Sequence, residues 1–512
     1  MRFTRRSERC KSVGIREKMM RGIIKMDERL KKIDDFVAAG PFRDDWDSLS
    51  SFKVPAWFRE AKFGIFIHWG VFTVPEYSNE WYSRNMYIKG MPAYEHHILK
   101  YGPQCEFGYK DFIPLFTAGR FDPDEWAELF KKAGAKYFVQ VAEHHDGFQM
   151  YRSDISRYNA FEMGPRRDIL GEMKAAVEKR GLMFGASSHR AEHWFFMGHG
   201  KEFESDIKEP LVRGDFYWPA MPEMPNDDIY SHPYPSEEFL IDWLLRTCEI
   251  IDRYHPSLLY FDWWIQHEAF KPYLRKLAAY YYSRGVEWGK PVAITYKHDA
   301  MMFGSGIVDM ERGHFADAKS YPFQSDTSIA RNSWCYTDSL EYKTAAEIID
   351  TLIDVVSKNG NLLLNIGPRA DGSIAPKDRE ILEAIGEWMS INGCAIYGSK
   401  VWRKSGEGPT SVKEGMFSEE SVTYTPRDFR FTVTGKYLNV FVLCYPDDGK
   451  LMIRSLADSK DRNVPEFHGI ITDVAVLGFE EKPQWRKTEE GLIIETSSVN
   501  SGLPVVIRIE IN

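Results

Sequence analysis

The sequence predicts an α/β chain: a (β/α)8-like barrel of the TIM type, followed by a C-terminal β-sandwich. Three observations carry that reading. Amphipathic helices alternate with short, almost wholly apolar runs over about 350 residues. The helical period disappears after about Arg403, where alternating strands take over. A doubly wound open sheet competes for the first pattern, but its usual phosphate loop, G-x-G-x-x-G or G-x-x-x-x-G-K, is not present.

Residues 1–48 read as a charged N-terminal extension, partly helical around Lys25–Val37, with Met26 as an alternative start. The barrel domain is set at residues 49–403. Asp122 and Pro123 have the chemistry of an N-cap and first helical position. Trp126, Leu129 and Phe130 then share a face, and Gly134 ends the helix. The strand Tyr137–Ala142 follows and stops at Glu143-His144-His145-Asp146. The unit recurs as helix Ile169–Lys179, strand Leu182–Ala186 and Ser187-Ser188-His189. It recurs again as helix Glu237–Tyr254, strand Leu258–Phe261 and Asp262, and as helix Thr344–Ser357 with strand Leu362–Ile366. Strands this apolar must be buried on both faces, which implies a parallel sheet covered by helices. In residues 404–512, Phe429–Thr434, Tyr437–Leu443, Leu451–Ser455, Val474–Gly478, Gly491–Thr496 and Pro504–Glu510 read as sandwich strands.

A chain of 512 residues with 43% hydrophobic residues builds a large core and more than one domain. The net charge of −9 argues against a nucleic-acid or anionic-membrane partner. Six cysteines without a C-x-x-C pair disfavour a zinc site or a disulfide framework. The basic N-terminus lacks an apolar signal segment, and no apolar run reaches membrane-spanning length. The expectation is a soluble, cytoplasmic protein that forms homo-oligomers or stays single. The 15 Trp, 26 Tyr and 33 Phe are mostly core, with a minority free to stack on sugar faces.

Catalytic groups of such a barrel lie where strands end, because the βα loops open on that face. Here the strand ends carry His68-Trp69, His144-His145, His189, Asp262-Trp263-Trp264 and Glu311-Arg312. Isolated carboxylates among imidazoles and rings suit glycosidic bond cleavage, in which one carboxyl group is nucleophile and the other general acid/base. The rival is a metal-dependent barrel hydrolase on His68, His144, His145, His189 and Asp262. It lacks a His-x-His pair, which would aim two imidazoles to one side of a strand.

These residues closely resemble the α-L-fucosidases of glycoside hydrolase family 29, from about Trp57 to Trp402. The segments that carry the likeness are WFREAKFGIFIHWG, NEWYSRNMY, AKYFVQVAEHHDGF, PSLLYFDWW, and KNGNLLLNIGPRADGSI followed by GEWMSINGCAIYGSKVW. The resemblance implies a retaining exo-α-L-fucosidase acting on fucosylated carbohydrate, without a metal or organic cofactor. It puts the nucleophile on Asp262 and sugar contacts on His68, Glu80, Trp81, His144, His145 and Trp334. Two departures stand out. Ser187-Ser188-His189 replaces a Tyr-Ser pair, making His189 a substitute hydroxyl contact, and Tyr260 replaces a Trp on the face of Asp262. The acid/base is assigned to Glu311, with Glu268 and Glu192 in reserve; its bland alternative is a surface pair with Arg312 or Lys297. A catalytically inactive sugar-binding relative is the non-enzymatic alternative.

Overall fold

Eight parallel strands close into a barrel in the computed structural model, which describes residues 27–224, 228–458 and 467–512. They are β1 (Phe63–Ile67), β2 (Tyr137–Glu143), β3 (Met183–Ser188), β4 (Leu258–Phe261), β5 (Ala293–Tyr296), β6 (Ile307–Glu311), β7 (Phe323–Ser328) and β8 (Gly360–Ile366). Each pairs with the next, and β8 pairs with β1 to close the ring. The fold class predicted from sequence is therefore the one observed.

Six of these strands coincide with sequence-predicted apolar runs; β5 and β7 do not. β5 reads Ala-Ile-Thr-Tyr, in which a threonine breaks the apolar run. β7 reads Phe-Gln-Ser-Asp-Thr-Ser, with one apolar residue, yet all six are buried. Gln324, Asp326 and Thr327 bond Asp309, Tyr260 and Lys343 of neighbouring elements, and a strand satisfied in this way leaves no hydrophobic signature.

The helices begin and end as their cap chemistry dictates. Asp122 accepts from the backbone of Asp124 and Glu125 at the start of Pro123–Lys132. Thr344 and Glu347 form a reciprocal capping box on Ala345–Ser357. Glu237–Tyr254 starts at Ser236 and stops at His255, which takes a left-handed φ of 45°.

The described part of the N-terminal extension is not a free tail. Residues 27–39 are helical; Ile33 and Val37 are buried. Phe36 meets Tyr280 edge-on at 5.1 Å, and Asp34 pairs with Lys276 at 2.5 Å, so this helix lies on helix Lys271–Glu287. Lys25 and Met26 fall outside the described residues.

After the barrel come β9 (Lys400–Glu407), β10 (Phe429–Thr434), β11 (Tyr437–Val442), β12 (Lys450–Ile453), β13 (Ile471–Val476), β14 (Gln484–Lys487), β15 (Leu492–Glu495) and β16 (Val505–Ile511). They form a five-stranded sheet, β13-β16-β11-β10-β9, and a three-stranded sheet, β12-β15-β14. Phe431, Val440 and Ile507 of one share a core with Ile453, Leu492 and Ile494 of the other, as in a sandwich. The boundary expected after Arg403 falls inside β9, which pairs antiparallel with β10. The chain thus enters the sandwich at Lys400; β9 is missed in sequence because its exposed and half-buried residues do not alternate.

A buried ionic cluster fixes the loops after β2 and β3. Arg190 donates to Glu143 at 2.6 Å and to Asp242 at 2.7 Å. Arg246 donates to the same two carboxylates at 3.1 and 2.7 Å, and Arg213 reaches Asp242 at 3.2 Å. Burial alone would raise the Asp242 carboxyl, but the three guanidinium groups hold it well below the usual range. Asp242→Ala would leave these guanidinium groups short of a buried counter-charge, which costs about 3–5 kcal/mol. Urea unfolding should register that loss; a change under about 1 kcal/mol, the scale of a surface pair, would mean the cluster is not what holds these loops.

Candidate active site

One cavity, of ≈ 390 Å³, opens at the C-terminal end of the barrel and gathers side chains from its strand ends. His68 follows β1, His144 and His145 follow β2, His189 follows β3, Asp262 follows β4 and Lys297 follows β5. Glu311 ends β6, and Asp326 lies within β7. Asn365 of β8 reaches the site through His68.

The Lys297 ammonium is the centre of the charge arrangement. It lies 3.3 Å from Asp262 and 3.7 Å from Asp326, and donates closely to Glu311. Burial pulls the lysine down, but Asp326, Glu311 and Asp262 outweigh it, so the ammonium stays charged. The two strand-end carboxyl groups respond oppositely. Burial would raise Asp262, but Lys297, His189 and His145 hold it well below the usual carboxylate range. Glu311 is pushed up to about 7 by burial, reinforced by Asp326 and Asp262 and only partly countered by Lys297. Its Oε2 also accepts from the Trp263 indole at 2.7 Å. One carboxylate is held ionised beside another that keeps its proton near neutrality.

The imidazoles have separate jobs. His189 donates from Nδ1 to Asp262 at 2.9 Å and accepts at Nε2 from Ser187 at 2.9 Å, consistent with a neutral ring lowered by burial. His145 lies between Glu192 at 3.4 Å and Asp262 at 3.4 Å. Burial opposes its charge, but those carboxylates raise it to about 9, so it is an imidazolium at neutral pH. His68 donates from Nδ1 to Asn365 at 2.7 Å, and the Asn365 amide donates in turn to Ser328 and Trp334. That fixes the tautomer and leaves His68 Nε2 as an acceptor. His144 is neutral through burial and its neighbour His145, and its Nδ1 has no hydrogen-bond partner.

Glu80 accepts from the backbone of Trp334 at 2.9 Å, joining the loop after β1 to the loop after β7. Trp81 packs against His145 at 5.7 Å, and Trp334 lies 5.0 Å from His68 with the Arg312 guanidinium over its ring. Tyr260 donates to Asp326 at 2.8 Å.

Every sequence-predicted site residue lines this cavity: His68, Glu80, Trp81, His144, His145, His189, Tyr260, Asp262, Glu311 and Trp334. Two details differ from expectation. The Glu311–Lys297 pair exists, but it is buried at the centre of the site rather than on the surface. His189, expected to contact hydroxyls, has both nitrogens engaged by Asp262 and Ser187 and so orients Asp262. Of the reserve acids, Glu192 lines the cavity, whereas Glu268 is exposed and accepts from Tyr234. Lys297, Asp326 and Phe417, together with Trp263, Trp264 and Gln266, also line it without having been assigned a role from sequence. Lys297 follows β5 and Asp326 sits within β7, two strands not expected from the sequence, and Phe417 comes from the sandwich side of the chain.

Among the described residues two histidine groups have metal-ligand spacing: His68 with His144 and His189, and His145 with His189 and Asp262. Both include His189, so a metal in either would compete with Asp262 or Ser187 for one of its nitrogens.

The sequence profile of the family described as Alpha-L-fucosidase matches residues 31–394. Tissue alpha-L-fucosidase of Mus musculus is 32% identical over 482 residues, 93% of this chain and 94% of the mouse protein. The human tissue enzyme is 32% identical over 460 residues, 88% of this chain and 87% of its own. The crystal structure of Thermotoga maritima alpha-fucosidase in complex with fucose superposes with a TM-score of 0.71 at 29% identity, covering 91% of this chain and 100% of that one.

Dialysis against EDTA should leave both the activity and the melting temperature unchanged, and zinc added afterwards should bind well below one ion per chain. Loss of either property, restored by a divalent ion, would assign the histidine cluster to a metal instead.

Proposed function

The chain belongs to the alpha-L-fucosidase family and is a glycoside hydrolase, and from this premise we propose exo-hydrolysis of terminal α-L-fucosides with net retention. The single observation that carries the mechanism is that one buried ammonium touches both carboxyl groups. A shared contact confines the two oxygens to within about 6 Å, which supports the ~5–5.5 Å separation of retaining glycosidases over the ~6.5–9.5 Å of inverting ones.

In the proposed reaction an ionised Asp262 oxygen attacks the anomeric carbon while Glu311 gives its proton to the departing oxygen, leaving a covalent fucosyl-enzyme. His189 and His145 orient the attacking carboxylate through their N–H groups. The acceptor nitrogen of His68, the neutral His144 and the carboxylate of Glu80 hold ring hydroxyls, while Trp81, Tyr260 and Trp334 wall the sugar. Once Asp262 is esterified, its negative charge no longer raises Glu311 and no longer shares Lys297. Glu311, having given up its proton, then stays ionised, as a base for water requires. Hydrolysis of that intermediate by water returns Asp262 to its ionised form and gives fucose of unchanged anomeric configuration.

A second assignment, Glu192 as proton donor, has one observation in its favour: it lines the same cavity and burial pushes it up to about 7. Its neighbour is the His145 imidazolium, which opposes keeping the proton.

Asp262→Gly should lower kcat on an aryl α-L-fucoside by roughly 10³-fold or more with folding intact; near-normal turnover by folded protein would remove Asp262 from the nucleophile role. For wild type, kcat/KM should hold on the acid side of neutrality and fall as pH rises through about 7, where Glu311 loses its proton. Glu311→Ala should abolish that alkaline limb, slow a poor leaving group far more than an activated aryl one, and let azide restore turnover with an α-fucosyl azide product. Should the limb persist and azide fail, the same experiment on Glu192→Ala decides the second assignment.

A further inference from the structure

The loop between β9 and β10 reaches back from the sandwich and hydrogen-bonds to the end of β6. Gly415 N donates to His314 at 2.9 Å, Phe417 N to the Glu311 carbonyl at 2.9 Å, and Glu419 N to Arg312 at 3.1 Å. The Glu419 carboxylate then accepts from Lys343 at 2.6 Å and Thr327 at 2.8 Å. The two backbones run so close that a Cβ on Gly313 would stand 2.0 Å from the Gly415 carbonyl oxygen. A segment tied down on both sides of one residue holds that residue in place.

The residue so held is Phe417. Its φ is +53°, a left-handed conformation costly for a bulky side chain, and its ring is 61% exposed. Of the exposed large hydrophobic side chains among the described residues, it is the one that lines the cavity. The ring stacks on Trp263 at 5.9 Å with 15° between planes, and Trp263 also meets His298 at 4.4 Å with 65° between planes. Trp263 itself donates to Glu311. An apolar ring in water, in a strained backbone, pinned next to the carboxyl that faces the departing oxygen, is placed to be covered by substrate.

We infer that Phe417 and Trp263 form a binding subsite for the leaving group, and that the ligand it takes is a pyranose ring whose apolar face stacks on Phe417. This rests on the reading of Glu311 as the proton donor of an α-fucosidase. Fucose binds deep among the histidines, and the sugar to which it is attached lies outward over the aromatic pair.

The test compares Phe417→Ala, Phe417→Trp and wild type on two substrates: a fucosylated disaccharide and α-L-fucosyl fluoride, whose leaving group has no ring. Phe417→Ala should lose on the order of tenfold in kcat/KM on the disaccharide, the size of one aromatic stacking contact, and nothing on the fluoride. Phe417→Trp should keep both, since it preserves a ring. Equal changes on the two substrates, or none on the disaccharide, would overturn the subsite while leaving the fucosidase reading intact. Failure of wild type to hydrolyse either substrate would remove that reading and the subsite with it.

Discussion

The site depends on one buried ammonium. Lys297 lies among Asp262, Glu311 and Asp326 inside a barrel where an unpaired charge of either sign is expensive to hold. One cation among three carboxyl groups cannot neutralise them all. The arrangement therefore sorts them: Asp262, which has two imidazole N–H donors besides the ammonium, keeps its charge, and Glu311, which has a single indole N–H, keeps its proton. The difference in proton affinity that a two-carboxylate reaction requires is thus a consequence of sharing cations and N–H donors unequally.

Holding that arrangement still is the work of polar groups one layer away. Asn365 fixes the tautomer of His68, Ser187 that of His189, and Tyr260 reaches down to Asp326. Further out, Glu143 and Arg190 tie the loops bearing His144, His145 and His189 to the helix that carries Asp242 and Arg246. Each of these groups is buried, so each bond lost would strand a partner without water to replace it. Such networks favour a single geometry, which a reaction requiring ångström-level placement needs.

Much of this was legible in the sequence, for a physical reason. Strands buried on both faces must be apolar, so Leu258–Phe261 or Leu362–Ile366 announce themselves, and the first polar residue beyond each marks the open face. That reasoning reached His68, the two histidines after β2, His189, Asp262 and Glu311. It could not reach Lys297, because β5 reads Ala-Ile-Thr-Tyr and its threonine breaks the apolar run. Nor could it reach Asp326, embedded in a β7 whose buried polar residues are satisfied by partners on other elements. Phe417 was beyond reach for another reason: it lies more than a hundred residues from Glu311 in the chain, and only the folded path of the β9–β10 loop brings the two together.

The backbone ladder from Gly415 to Glu419 along the end of β6 also sets an order in time. A chain made from its N-terminus at about 5–20 residues per second completes all eight barrel strands well before the residues of that loop exist. For several seconds the rim beside Glu311 has no partner for its carbonyl groups, and the cleft lacks one wall. The sandwich is then more than an appendage that folds afterwards: its arrival is the step that finishes the mouth of the barrel. A nascent or truncated chain ending before residue 415 would carry both carboxyl groups and the lysine between them, and still present an unfinished entrance to the cleft.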